Sequence, residues 1–166
     1  ERDAGILLSS LHPQTVLEDL EQCPEEVLSA HPLAILVLMR SMFNWRLIPK
    51  MMELKALLLR AIEAHPELPE DERGDLLGEC DLIMSFLCYN DIRAMSRLHR
   101  SASRQMSRPA ISIRSSGGWT FGSPSVLMMF YRAPGELAAE LSEMDECMPH
   151  YYKITNGHGR GAETIM

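Results

Sequence analysis

Along this chain, apolar side chains recur at intervals of three and four residues, the spacing of one face of an α-helix, and hardly anywhere at the interval of two that marks a strand. From Gln14 to Gln22, Val16, Leu17 and Leu20 share a face. Pro24 suits the first turn of a second short helix, with Glu25 and Glu26 at its positive end. Pro32 opens the most apolar stretch, Leu33 to Phe43, interrupted only by Arg40 and Ser41. A helix apolar on nearly all sides must be covered by several neighbours, so this one belongs in the middle of a stack. Asn44 to Leu47 is short enough to be the turn of an antiparallel pair. The next helix is predicted over Ile48 to Ala64, with Ile48, Met51, Met52, Leu58, Leu59 and Ile62 as its stripe.

Pro69-Glu70-Asp71-Glu72 marks another helix start, and Leu76, Leu77, Cys80, Ile83, Met84, Leu87 and Cys88 form its apolar face. Tyr89-Asn90-Asp91 breaks it. Asp91 is placed to cap a helix from about Ile92 to Met106, whose apolar face is Ile92, Met95, Leu98 and Ala102. Residues 107–122 carry Pro109, Gly117, Gly118 and Gly122 and are expected to form a long loop. Ser123 and Pro124 then start a short helix over Val126 to Tyr131. Pro134 opens the last full helix, with Leu137, Leu141, Met144 and Met148 on one side, and Pro149 is expected to end or kink it.

The triplet Ala30-His31-Pro32 returns as Ala64-His65-Pro66 after 34 residues, the length of a tetratricopeptide helix pair. There is no third copy. The fold class that follows is all-α: seven to nine helices in antiparallel pairs, stacked as a tetratricopeptide-like right-handed superhelix with a concave contact surface. Residues 1–166 read as a single domain of that kind. The Gly-rich closing stretch looks like a turn followed by the first residues of another helix, and no initiator Met is present. Both features give the expectation of a fragment cut from a longer chain.

Composition narrows the function classes. Hydrophobic residues make up 46% and charged residues 23%, an ordinary globular balance. A formal net charge of −7 argues against duplex DNA as the direct partner, since that surface demands Lys and Arg in excess. The longest uninterrupted apolar run, Leu33 to Met39, is seven residues, too short for a membrane span. Cys23, Cys80, Cys88 and Cys147 form no C-x-x-C pair, and no secretory signal is visible, so reduced thiols in a cytoplasm are expected.

The Pro32-Leu33 helix opening and the pair after it, the Arg-bearing helix, Gly122-Ser123-Pro124-Ser125, and the closing Gly157-His158-Gly159-Arg160-Gly161-Ala162-Glu163 together resemble one known family. They are similar to the helical-repeat region of large LuxR-family transcriptional regulators of the maltose-regulon-activator type. In that family a STAND-class NTPase module and a winged-helix segment precede a tetratricopeptide-like domain, and a C-terminal helix-turn-helix reads DNA. The resemblance implies a bacterial regulatory, non-catalytic module that senses an inducer or controls association. This chain has no G-x-x-x-x-G-K-[ST] loop and no LuxR-type recognition helix. ATP is therefore implied only for the upstream module, and no cofactor and no direct nucleic-acid contact for this part. A stand-alone tetratricopeptide-like scaffold that binds a peptide or protein is the alternative.

The sharpest candidate site is an arginine ladder: Arg93, Arg97, Arg100, Arg104 and Arg108, with Arg114 following in the loop. Steps of four and three keep such residues on one helix face. An acidic partner, a phosphorylated ligand or another subunit fits that face. The plainer alternative is internal pairing with Glu72, Asp75, Glu79 or Asp81 on the preceding helix. A second candidate is Trp119 and Phe121 behind a Gly pair, either a lid over a pocket or two rings folded onto the helices. Trp45 reads first as a core edge. Cys147 and His150 have C-x-x-H spacing but no second pair nearby, so no metal site is expected. His31 and His65 read as helix-closing residues. No serine lies in a nucleophile elbow, and no catalytic residue is assigned.

Overall fold

The computed structural model describes residues 11–88, 91–113 and 133–160. The described residues form seven helices and no strand. These are α1 (Pro13–Gln22), α2 (Glu25–Ser29), α3 (Pro32–Asn44), α4 (Ile48–Ala64), α5 (Glu70–Ser85), α6 (Ile92–Gln105) and α7 (Leu137–Ile154). A single 3-10 turn, Phe86–Cys88, extends α5.

Local chemistry accounts for most helix ends. The His12 side chain accepts from the Gln14 amide, and Asp91 accepts from the Ala94 amide at 2.9 Å, each serving a donor the helix leaves open. Glu70, Asp71 and Glu72 sit in the first turn of α5, against the positive end of its dipole. The α3–α4 corner closes with the Leu47 amide on the Met42 carbonyl at 2.8 Å and the Arg46 amide on the Phe43 carbonyl at 2.9 Å. That double bond needs a left-handed residue between, and Arg46 takes it at φ 60°. α7 ends the same way: Asn156 has φ 53°, and the Gly157 amide bonds the Tyr152 carbonyl.

In α3, Ile35 to Met39 are buried without interruption, as a central helix requires. On α4 the buried stripe is Met51, Leu54, Leu57, Leu58, Ala61 and Ile62. Met52, expected on that stripe, is 42% exposed instead. α3 and α2 cover one flank of α4, and the contact line is set by Leu54 and Leu57, which rotates Met52 outward. Pro149 does not end α7, which runs on through Ile154. Proline withholds a bond from the Asp145 carbonyl, but both residues face solvent, and Tyr151 and Ile154 beyond them are buried anchors.

Two apolar clusters share the interior. One joins Val16 of α1 with α3, α4 and the Leu76, Cys80 and Ile83 side of α5. The other joins Leu82 and Phe86 with α6, the segment through Ile113, and α7. Phe43 packs on both, with its ring centroid 5.7 Å from that of Phe86. α5 and α6 are antiparallel, since Gly74 meets Gln105 while Ser85 meets His99. α3 and α5 point the same way, since Arg40 and Phe43 near the end of one reach Phe86 beyond the end of the other. α6 and α7 also run parallel: Ser96 meets Glu143, His99 meets Cys147, and Ser103 meets Lys153. Among the described residues, α7 packs on α6 in parallel and not as its antiparallel partner.

Two glycines let α6 close on α5. A Cβ at Gly74 would stand 2.6 Å from the Gln105 carbonyl oxygen, and one at Gly78 would stand 2.4 Å from Met106 Cγ. Beyond α6, the buried carboxylates of Asp75 and Glu79 gather the chain. Asp75 accepts from the Ser107 amide and hydroxyl, and Glu79 accepts from the Ser112 amide. The start of the expected 107–122 loop is therefore tied down; residues 114–122, and the helix expected over Val126 to Tyr131, lie outside the described residues.

Candidate interaction site

α6 has two unlike faces. Ile92, Met95, Ser96, His99, Ala102 and Ser103 are buried against α5 and α7. Opposite them, Arg93, Arg97, Arg100 and Arg104 form a stripe, because steps of four, three and four return to one side of a 3.6-residue turn. The stripe spans about 16 Å at 1.5 Å per residue. Asp91 holds the helix start in place, and the Gly74 and Gly78 contacts hold its end.

The ladder divides in two. Arg108 lies past the end of α6 and turns inward, where its guanidinium meets Asp75 and Glu79, each at 3.2 Å. Arg100 is drawn to α7, 3.3 Å from both Glu143 and Glu146. Arg93, Arg97 and Arg104 are exposed, and among the described residues no carboxylate approaches them within 4.0 Å. Of the four acids weighed as internal partners, Asp75 and Glu79 take Arg108. Asp81 accepts from Gln105 at 3.0 Å, and Glu72 pairs with none of the ladder. Arg114, Trp119 and Phe121 lie outside the described residues.

Like charges one turn apart repel by about 0.2–0.5 kcal/mol per pair, so the stripe is kept at a cost that an anionic neighbour would remove. Its field reaches α7. The imidazole of His150 is held below its ordinary value first by burial, then by the charges of Arg100, Lys153 and Arg104. Beside Arg104 a shallow groove of about 550 Å³ opens between the start of α5 and the end of α6, lined by Glu70, Asp71, Gln105, Met106 and Ser107.

Comparison with protein-family models, curated proteins and solved structures finds no match for this chain. The chemistry of the site therefore rests on its own geometry.

Behind the stripe runs a buried polar seam that joins three helices. Ser85 Oγ lies 2.9 Å from His99 Nε2, and His99 Nδ1 lies 3.3 Å from Cys147 Sγ. Ser96 donates to Glu143, and the His99 and Tyr151 rings are 5.0 Å apart. Tyr151 in turn meets His158 Nδ1 at 2.7 Å, which fastens the closing turn to α7. Burial pushes the His99 imidazole down to about 3, and the nearby charge of His150 adds to that shift. Burial also raises the Cys147 thiol and the Tyr151 phenol. An activated thiol needs the opposite shift, and a general base needs a value near the working pH. His99, Cys147 and Tyr151 are thus set to stay neutral and hold helices together.

Ser96, His99 and Ser103 were not among the expected core residues, although their register shows the signal. His99 lies seven residues from Ile92, four from Met95 and three from Ala102, on the apolar stripe itself. Cys147 and His150 diverge, one inward and one toward solvent, and the described residues hold no group of three or more His, Cys, Asp and Glu side chains placed to share a metal. Trp45 is half-buried at the edge of the first cluster. His31 and His65 flank helix ends, at the start of α3 and the close of α4. A second cleft, between α1, α2 and α4, is apolar at Leu20, Leu28, Leu54 and Leu57 and rimmed by the Arg60–Glu25 and Lys50–Glu53 pairs. At about 200 Å³ it is smaller than the roughly 300 Å³ at which small-molecule pockets begin.

Proposed function

We propose that this chain is a regulatory, non-catalytic helical-repeat module of a bacterial LuxR-family transcriptional regulator, and that it works by protein association or effector sensing through the outer face of α6. The observation that carries this reading is a rigidly seated helix with three arginines, Arg93, Arg97 and Arg104, turned to solvent and matched by no carboxylate among the described residues. The tetratricopeptide-like superhelix is part of the same proposal. It is supported by the alternation of direction through α3, α4, α5 and α6, with α3 and α5 pointing the same way. Two repeats of an A-then-B helix pair have that order.

Two experiments test it. In the gene that encodes this chain, the sequence upstream should carry a G-x-x-x-x-G-K-[ST] loop and the sequence downstream a LuxR-type helix-turn-helix; finding neither would remove the regulator reading. The association reading is tested by thermal shift of the 166-residue chain against sugars, sugar phosphates and a poly-glutamate peptide. A ligand that prefers the folded state raises Tm, and at a hundred times its Kd the gain is about 2.7 kcal/mol. The shift given by an anionic ligand should disappear in the double variant Arg97→Glu, Arg104→Glu. An anionic hit that survives in that variant would move the site off α6.

A further inference from the structure

Charge is segregated along this molecule. Residues 11–39 hold five carboxylates, Glu18, Asp19, Glu21, Glu25 and Glu26, and no Lys or Arg. Residues 92–113 hold five arginines and no carboxylate. The acidic residues all sit on α1 and α2 and are exposed. Only Glu25 is engaged by a cation among the described residues, through Arg60 at 2.8 Å. The acidic end also bears two of the large apolar side chains left in solvent, Leu11 and the half-exposed Val27.

The two patches do not meet within one molecule. α1 and α2 rest on α3 and α4 through the first apolar cluster, whereas α6 rests on α5 and α7 through the second. No ion pair among the described residues joins them. Among the described residues the two patches do not serve one another within one molecule, and a second copy can bring them together.

We infer that the arginine face of α6 docks the acidic α1–α2 end of a second copy of this chain, head to tail. This rests on the association reading above and names its partner. The stripe of Arg93, Arg97 and Arg104 has the length of the ten-residue α1, whose Glu18 and Glu21 lie one turn apart on its outer side. Bidentate guanidinium–carboxylate pairing favours Arg over Lys at such a contact, and the whole stripe is Arg. Val27 supplies an apolar contact for the arginine stems. Because the two patches differ, the contact is heterologous. It leaves one patch of each kind free at the ends and continues into a ring or an open array.

Sedimentation velocity of the 166-residue chain over a concentration series tests this. At 50 mM salt the wild type should form species larger than a dimer, and raising salt to 0.5 M should weaken association at least tenfold, as screening of exposed charges requires. The variant Arg97→Glu, Arg104→Glu and the variant Glu18→Lys, Glu21→Lys should each be monomeric. Mixed one to one, the neutral variants R97Q/R104Q and E18Q/E21Q should form a dimer that stops at two copies, since each contributes its one intact patch and their altered patches carry no complementary charge. If either pair of reversals lowers helical content, the neutral pairs R97Q/R104Q and E18Q/E21Q replace it, with the same outcome expected. A wild type that stays monomeric at 50 mM salt, variants that associate as the wild type does, or a mixture that stays monomeric would each overturn the head-to-tail contact. A monomeric wild type that binds poly-glutamate, with binding lost in R97E/R104E, would assign the face to a foreign acidic partner and leave the association reading standing. A hit in the thermal-shift panel with no self-association would separate the two in the same way.

Discussion

His99 carries most of the residue-scale consequences. It is 2% exposed, hydrogen-bonded through both ring nitrogens to Ser85 and Cys147, and neutral in the fold because burial opposes its charged form. Its folded pKa of about 3 lies below the ordinary 6.5. Between those values the unfolded chain binds a proton that the folded chain refuses. The contribution is therefore complete above pH 6.5 and is lost as pH falls toward 3, at up to about 1.4 kcal/mol per pH unit. Urea unfolding at pH 6.5 and at pH 5 should differ by about 2 kcal/mol from this site alone. His150 shifts in the same direction from a more open position, so His150→Gln should keep most of that slope, whereas His99→Gln should flatten it. A slope unchanged in His99→Gln would mean that other groups set the acid limb. His99 also shows where sequence reading falls short. Its place on the apolar stripe of α6 was visible in the register, but Cys147 as its partner was not, because 48 residues separate them and only the parallel docking of α7 brings them together.

At the scale of elements, the helix boundaries were legible because they are written in neighbouring residues. Pro32, Pro69 with its three acids, and Asp91 each mark a start that holds in the structure to within a residue. What was not legible is which way a helix turns once it is packed. Met52 and Leu54 are both apolar and two residues apart, and only the position of α2 and α3 decides that Leu54 goes in. The same holds for the arginine ladder. Spacing put five arginines in line, but Arg108 left that line because Asp75 and Glu79 wait beside the end of α6. That close approach of α5 and α6 depends on Gly74 and Gly78, and the dependence can be measured. In an exposed helix interior, Gly→Ala gains about 1 kcal/mol. At Gly74 the new methyl would press on a backbone carbonyl that cannot swing aside. Overpacking of this kind costs about 1–3 kcal/mol, so Gly74→Ala is expected to lower stability by up to about 2 kcal/mol net. Chemical denaturation would give the number; a stabilised variant would show that the α5–α6 contact is loose.

Across the whole molecule, the two apolar clusters raise the question of whether the chain unfolds as one unit. α5 belongs to both, with Leu76, Cys80 and Ile83 in the first and Leu82 and Phe86 in the second. The bridge on the other side is narrower. It consists of Phe43, packed on both clusters and against the Phe86 ring, and the Arg40 guanidinium 4.4 Å above that ring. Arg40 is itself buried enough to be held down to about 10, so the cation relies on the aromatic face for part of its support. Removing the Phe43 ring takes away the contact between clusters and leaves each cluster's own interior filled. Phe43 is half-buried, so Phe43→Ala should cost less than the roughly 3–5 kcal/mol of a fully buried Phe, about 2 kcal/mol. Its particular signature lies in where that loss appears. In native-state hydrogen exchange the wild type should show amides of α4 and α7 opening at similar free energies, as one cooperative unit. In Phe43→Ala the α6–α7 amides should open at lower free energy than those of α3–α4, because without the ring the second cluster is fastened to the first only through α5 and the Arg40 guanidinium. Equal losses in α4 and α7 would mean that α5 and Arg40 carry the coupling without the ring.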